Sequence, residues 1–189
     1  MDKPIQMPVI VKRRNSNEVF TLGGELGLPN GANTFKAGSI VVFDGTNLAA
    51  IATQAVSACG ISPDASQTAN VVSAPYALKA DRHWPFSLVG LQFLINIGHP
   101  NGTDVHVGQA GGAKQLSDVT IGTSYGVVVP TTGTYAGIPF IDPTNTTQLL
   151  FTVIDKPTVF INPESKQTAA TYNAQVLVEV IPTCVQNIG

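Results

Sequence analysis

An all-β fold, a barrel or sandwich of short strands, is what this chain of 189 residues predicts, and three observations predict it. Runs of β-branched and aromatic residues recur at a spacing of roughly ten residues, the interval of strand plus turn. Punctuating residues are abundant, with 18 Gly and 13 Pro, while only 12% of residues are charged, so the Lys, Glu and Arg that favour helices are scarce. The final run, Ala174-Gln175-Val176-Leu177-Val178-Glu179-Val180, alternates as a half-buried strand does.

Taken in order, Pro8-Val9-Ile10-Val11 and Glu18-Val19-Phe20-Thr21-Leu22 predict two short strands around the polar bridge Lys12-Arg13-Arg14-Asn15-Ser16-Asn17. The stretch from Gly23 to Gly31 offers little to bury and much backbone freedom. Residues 1–33 therefore read as an extended N-terminal arm and residues 34–189 as a β-rich body. The body opens with a hairpin over Phe35 to Ala52, in which a β-branched and aromatic run meets the turn Asp44-Gly45 and a lighter apolar run follows. Cys59-Gly60-Ile61 and Asn70-Val71-Val72 are brief strands. Pro75-Tyr76-Ala77-Leu78-Lys79-Ala80-Asp81 is the best of at most one or two short helices, with Pro in a tolerated first-turn position. An internal boundary is expected near residues 82–90. Beyond it, Leu88 to Ile97 resumes strand character with Leu91, Phe93 and Ile95 on one face. Val105 with Val107, Val119-Thr120-Ile121, Tyr125 to Val129, Tyr135 to Ile141, Gln148 to Val153, Thr158 to Ile161 and Asn173 to Ile181 complete the predicted strands.

Charge and hydropathy exclude several classes of partner. A net charge of −2 and a pI near 5.8 give no global attraction to phosphate backbones or anionic lipid, so neither nucleic acid nor a membrane is an expected partner. The opening residues lack the apolar core of a signal peptide, and no run approaches the roughly 18 apolar residues that cross a bilayer. With only Cys59 and Cys184, far apart, a reducing compartment is the simpler reading.

The motifs that suggest chemistry fail on their own terms. Gly122-Thr123-Ser124-Tyr125-Gly126 matches the Gly-x-Ser-x-Gly elbow of hydrolases, but strand-like Val127-Val128-Val129 follows instead of a helix, and His83, His99 and His106 all precede Ser124. His99 and His106 could face each other across a hairpin with Asp104 to hold zinc, yet exposed loop histidines are the simpler reading, and His83 beside Trp84 is expected to pack locally. Gly108-Gln109-Ala110-Gly111-Gly112-Ala113-Lys114 lacks the Gly-Lys-Ser/Thr ending of a phosphate loop. Asp142, Asp155 and Glu164 are dispersed among prolines and turns, with no acid and base paired on one face. The expectation is a non-enzyme with no catalytic residue, no metal and no cofactor.

One concentration of charge remains. Lys12-Arg13-Arg14 together with Lys3 holds four of the ten basic residues, amid Val9, Ile10, Val11, Val19 and Phe20, which have little core to join in a detached arm. Lys3, Val9, Ile10, Val11, Lys12, Arg13, Arg14, Val19 and Phe20 are thus the candidate contact residues, expected to dock onto an acidic protein surface.

At the level of pattern, the chain resembles the head decoration (cement) proteins of tailed bacteriophages. Phe35-x-x-Gly38-x-x-Val41, the Asp44-Gly45 turn with Leu48, and Cys59-Gly60-Ile61 resemble an opening module of that family. Ile121-Gly122-x-x-Tyr125-Gly126-Val127, Thr132-Gly133-Thr134-Tyr135, Ile141-Asp142, Leu150-Phe151-Thr152-Val153 and Val176 to Ile181 resemble its closing module. The resemblance implies a small β-barrel or β-tulip body, commonly a homotrimer, seated on the outer surface of an expanded capsid. There it would clamp neighbouring major capsid protein subunits through the N-terminal arm, with the protein located on the virion after assembly in the host cytoplasm. No catalytic residue is implied. A second reading of the same features is a phage head-fibre or tail adsorption module that binds a host-surface glycan.

Overall fold

A computed structural model describes residues 8–13, 20–23, 28–63, 82–98, 114–132, 135–157, 167–171, 174–186 and 188. Among these the chain is mainly β, with no helix of seven residues or longer. The predicted helix over residues 75–81, and the strands placed on residues 70–72, 105–107 and 158–161, lie outside the described residues.

The centre of the molecule is a closed five-stranded barrel. β8 (Leu91–Ile97), β9 (Ser124–Val128), β10 (Phe140–Asp142), β11 (Phe151–Asp155) and β12 (Gln175–Val180) pair in the order β8-β10-β9-β11-β12, and β12 returns to β8. All the pairings are antiparallel except β8 with β10, which is parallel. The period-two alternation of each strand sends one set of side chains inward. Leu91, Phe93, Ile95 and Ile97 from β8 meet Tyr125 and Val127, Ile141, Phe151 and Val153, and Val176, Val178 and Val180, in one core. Phe93 and Phe151 pack edge to face with centroids 5.7 Å apart. Burying each such side chain contributes about 1.5–3 kcal/mol.

A smaller sheet closes one part of that core. β3 (Ile40–Phe43), β4 (Leu48–Ala50), β5 (Gly60–Ile61) and β7 (Phe86–Ser87) run in the order β4-β3-β5-β7. The hairpin expected at Asp44-Gly45 forms, with Val41 opposite Ala50 and Phe43 opposite Leu48. Gly45 supplies φ +96° in the turn, and the Asp44 carboxylate accepts the amides of Thr46 and Asn47 at 2.8 and 2.7 Å. Those amides hold the Asp44 carboxyl below its usual range. Gly60 is required where it stands: a Cβ would lie 2.7 Å from the Pro85 ring and 2.9 Å from the Phe86 carbonyl.

The small sheet is buried on both faces. Ile40 and Val42 point to the barrel core, whereas Val41 and Phe43 point to a second cluster with Leu22, Leu28, Phe35, Leu48 and Cys59. β2 (Leu28–Pro29) pairs with β6 (Arg82–His83), setting Leu28 opposite His83, whose ring lies 5.0 Å from that of Phe35.

Three expectations need correction. The described part of residues 1–33 is not a detached arm. β1 (Val9–Arg13) joins the main sheet beside β8, Thr21 bridges Phe86, and Leu28 and Asn30 are buried, because the small sheet needs a cover on the face turned away from the barrel. No seam falls at residues 82–90, since Phe86–Ser87 pairs with β5 while Leu88 enters the barrel core. Val119-Thr120-Ile121 forms no strand: Leu116–Asp118 is a 3-10 turn and Thr123 closes another on Thr120 before β9 starts.

The C-terminus ties the two sheets together. After the 3-10 turn Pro182–Cys184, Val185 bridges Ala58, and the Gln186 side chain imitates a neighbouring strand. It accepts from the Phe43 amide at 2.8 Å and donates to the Phe43 carbonyl at 2.9 Å. A loop does the same for β9: the Thr53 hydroxyl pairs with both the amide and the carbonyl of Val129 at 2.9 Å.

Candidate interaction surface

Among the described residues, the Ser, Asp, His and Cys side chains singled out in the sequence make structural contacts. Ser124 opens β9, and its hydroxyl shares a hydrogen bond of 2.9 Å with that of Thr152. Asp142 accepts the amide and hydroxyl of Thr144 in a turn, and Asp155 accepts the Lys156 amide. His83 is buried against Phe35. Cys59 and Cys184 are both unbridged; the Cys59 thiol donates to the Val41 carbonyl at 3.3 Å, and burial pushes it up to about 12. His99, Asp104, His106 and Glu164 lie outside the described residues. Among the described residues no three His, Cys, Asp or Glu side chains gather as a metal would need, and no helix is long and apolar enough to cross a membrane.

What the surface does offer is β1. Its position follows from how β8 divides one edge between two partners. β10 takes the end of that edge, with Phe140 opposite Asn96 and Ile141 opposite Ile97. β1 takes the beginning, with Val9 opposite Leu94, Ile10 opposite Phe93, Lys12 opposite Gln92 and Arg13 opposite Leu91. The opposite edge of β8 belongs to β12. β1 therefore ends the main sheet, and its outer edge pairs with no described strand. Such an edge is a template for another chain unless something protects it.

The candidate contact residues now divide. Ile10 is partly buried and packs against the barrel core, so it anchors β1. Val9 and Val11 stay 43% and 49% exposed, and Phe20 is 53% exposed beside Ser87, whose amide donates to its carbonyl. Lys12 and Arg13 stand within β1. Lys3, Arg14 and Val19 lie outside the described residues. Val89, 52% exposed in the turn that leads into β8, belongs to the same region and was not among the expected residues. Its neighbours Leu88 and Leu91 are fully buried, so the run reads as uniformly core in sequence.

No protein-family model, curated protein or solved structure matches the chain.

Proposed function

We propose that the chain is a structural protein of a phage particle that binds the outer surface of the capsid where subunits of the major capsid protein meet, and so stabilises the shell. The observation that carries this reading is β1: a strand whose outer edge pairs with no described strand, with Val9 and Val11 exposed, in the only concentration of positive charge the chain has. A rigid barrel suits such work, because a stiff body loses little conformational entropy when it docks. Several weak contacts made by a homotrimer gain further through effective concentration. The order of motifs that resembles the decoration proteins supports the same reading, as does the dispersal of reactive side chains among the described residues.

The test is binding to expanded shells that lack the protein. Wild-type protein is expected to co-sediment with the shells and raise their melting temperature. Val9→Asp/Val11→Asp, at two exposed positions, is expected to fold normally and bind at least about tenfold more weakly. Equal binding by the two proteins removes β1 from the mechanism, and no binding by either, with recognition of a glycan on an array, replaces the capsid reading with host adsorption. Mass measurement in solution checks the trimer.

A further inference from the structure

Edges that strand pairing leaves over are filled, one after another, by groups of this chain. On β4 the Asn33 side chain donates to the Leu48 carbonyl at 2.9 Å. On β7 Thr21 bridges Phe86, the Leu22 amide donates to the Pro85 carbonyl, and the Ser87 amide donates to that of Phe20. Past the end of β5 the Gln186 side chain takes both backbone groups of Phe43. Past the reach of β11, Gln54 and Thr53 take Val127 and Val129 of β9. On β8, β1 takes the residues that β10 leaves. The outer edge of β1 then pairs with no described strand, and the geometry of β1 itself shows how this edge is blunted.

A strand adds to an edge where outward N–H and C=O groups recur at every second residue. β1 breaks that repeat at its middle. Val9 and Ile10 stand opposite Leu94 and Phe93, Lys12 and Arg13 opposite Gln92 and Leu91, and the β-bulge between the two pairs leaves Val11 as an extra residue. The edge is thereby cut into two regular stretches of two residues each. Strands usually have about 3–10 residues, so neither stretch is long enough to seat one. Pro8, buried immediately before β1, brings no N–H that would lengthen the edge. Short runs, bulges and prolines are the devices by which a sheet ends without recruiting a further strand.

We propose that the bulge at Val11 blunts the outer edge of β1, so that a second copy of this chain does not add a strand there and a partner at β1 is met by side chains instead of backbone. The exposed side chains of Val9 and Val11 are what such a partner would touch. That a partner meets side chains rests on the reading of β1 as the contact strand; that a second copy is refused does not.

Deleting Val11 is the direct test, because all four pairs of β1 with β8 survive it and the strand becomes regular over Val9, Ile10, Lys12 and Arg13. Sedimentation of free whole chains over a range of concentrations compares four proteins: wild type, the Val11 deletion, Lys12→Thr/Arg13→Thr, and the deletion combined with those two substitutions. The substitutions are included because charge on an edge strand also deters pairing. The two proteins that keep Val11 should hold one mass at every concentration. The combined variant should shift to larger mass as concentration rises, with slowed amide exchange in β1, and the deletion alone should shift less. Equal association of Lys12→Thr/Arg13→Thr and the combined variant, or no association of the combined variant, overturns the proposal. Loss of barrel protection on deleting Val11 overturns it too, because the bulge would then be a requirement of folding. Val9→Thr/Val11→Thr, which keeps the backbone and strand propensity of β1, should bind expanded shells at least about tenfold more weakly than wild type, and equal binding overturns the side-chain contact. If wild type itself does not bind shells, the capsid reading falls and the side-chain contact with it, while sedimentation still decides whether the edge is blunted.

Discussion

The barrel and the small sheet solve the same problem in opposite ways. Strands β8 to β12 hydrogen-bond to one another in a closed circuit, so the barrel supplies its own strand partners, and the core it surrounds is shared with Ile40, Ile51, Ala58 and Ile61. Strands β3, β4, β5 and β7 form an open sheet, and both of its faces are completed from elsewhere. The barrel covers Ile40 and Val42, Leu22, Leu28 and Phe35 cover Val41 and Phe43, and the C-terminal residues pair with Ala58 and Phe43. The difference teaches that the N-terminal segment is two things: Leu28 and Asn30 belong to the interior, while β1 lies on the outside as an edge strand.

This contrast can be broken or sharpened by four measurements. The largest effect is expected from Phe93→Ala, which empties the centre of the barrel beside Phe151. It should cost about 3–5 kcal/mol, and both sheets should unfold in one transition by urea titration, because Ile40 and Ile51 rest on the same core. Leu48→Ala, in the outer cluster of the small sheet, should cost about 2–5 kcal/mol. Here hydrogen exchange should quicken across β3 and β4 first while β8 and β12 stay protected. Simultaneous loss of protection everywhere would show that the two sheets are a single cooperative unit.

Gln186→Ala removes both hydrogen bonds to the Phe43 backbone and should cost about 1–3 kcal/mol, again read in β3. The Cys59 thiol gives a pH test of the same region. Its ordinary value of 9.0 is raised to about 12 by burial, so above pH 9 the unfolded chain sheds a proton that the native chain keeps. Stability should therefore be unaffected by this group below pH 9 and fall by about 1.4 kcal/mol per pH unit between 9 and 12. Urea midpoints across that range should show the slope in wild type and a shallower one in Cys59→Ala.

The mainly β class, the hairpin at Asp44-Gly45, and strands β8, β9, β11 and β12 were legible because each rests on local pattern: apolar alternation and a residue that tolerates positive φ. Val119-Thr120-Ile121 has strand composition and no strand partner, so its backbone turns instead; composition reports the side chains, while a strand also needs an edge. Gln92, Asn96, Gln175 and Glu179 read as solvent-facing in alternating strands, yet all four are buried on the barrel's outer side. Nothing local could announce that.

By itself, then, the amino-acid order determined which segments are pleated, which faces are apolar, where the chain turns, and that its basic residues gather near the start. The tertiary structure alone decided that β8 would divide an edge between a parallel neighbour and β1, that a bulge would fall between Ile10 and Lys12, and that Leu28 and Asn30 would be interior. The physical reason is that periodicity is encoded within a few residues, whereas the competition for an edge or a face involves strands some eighty residues apart and has no local signature.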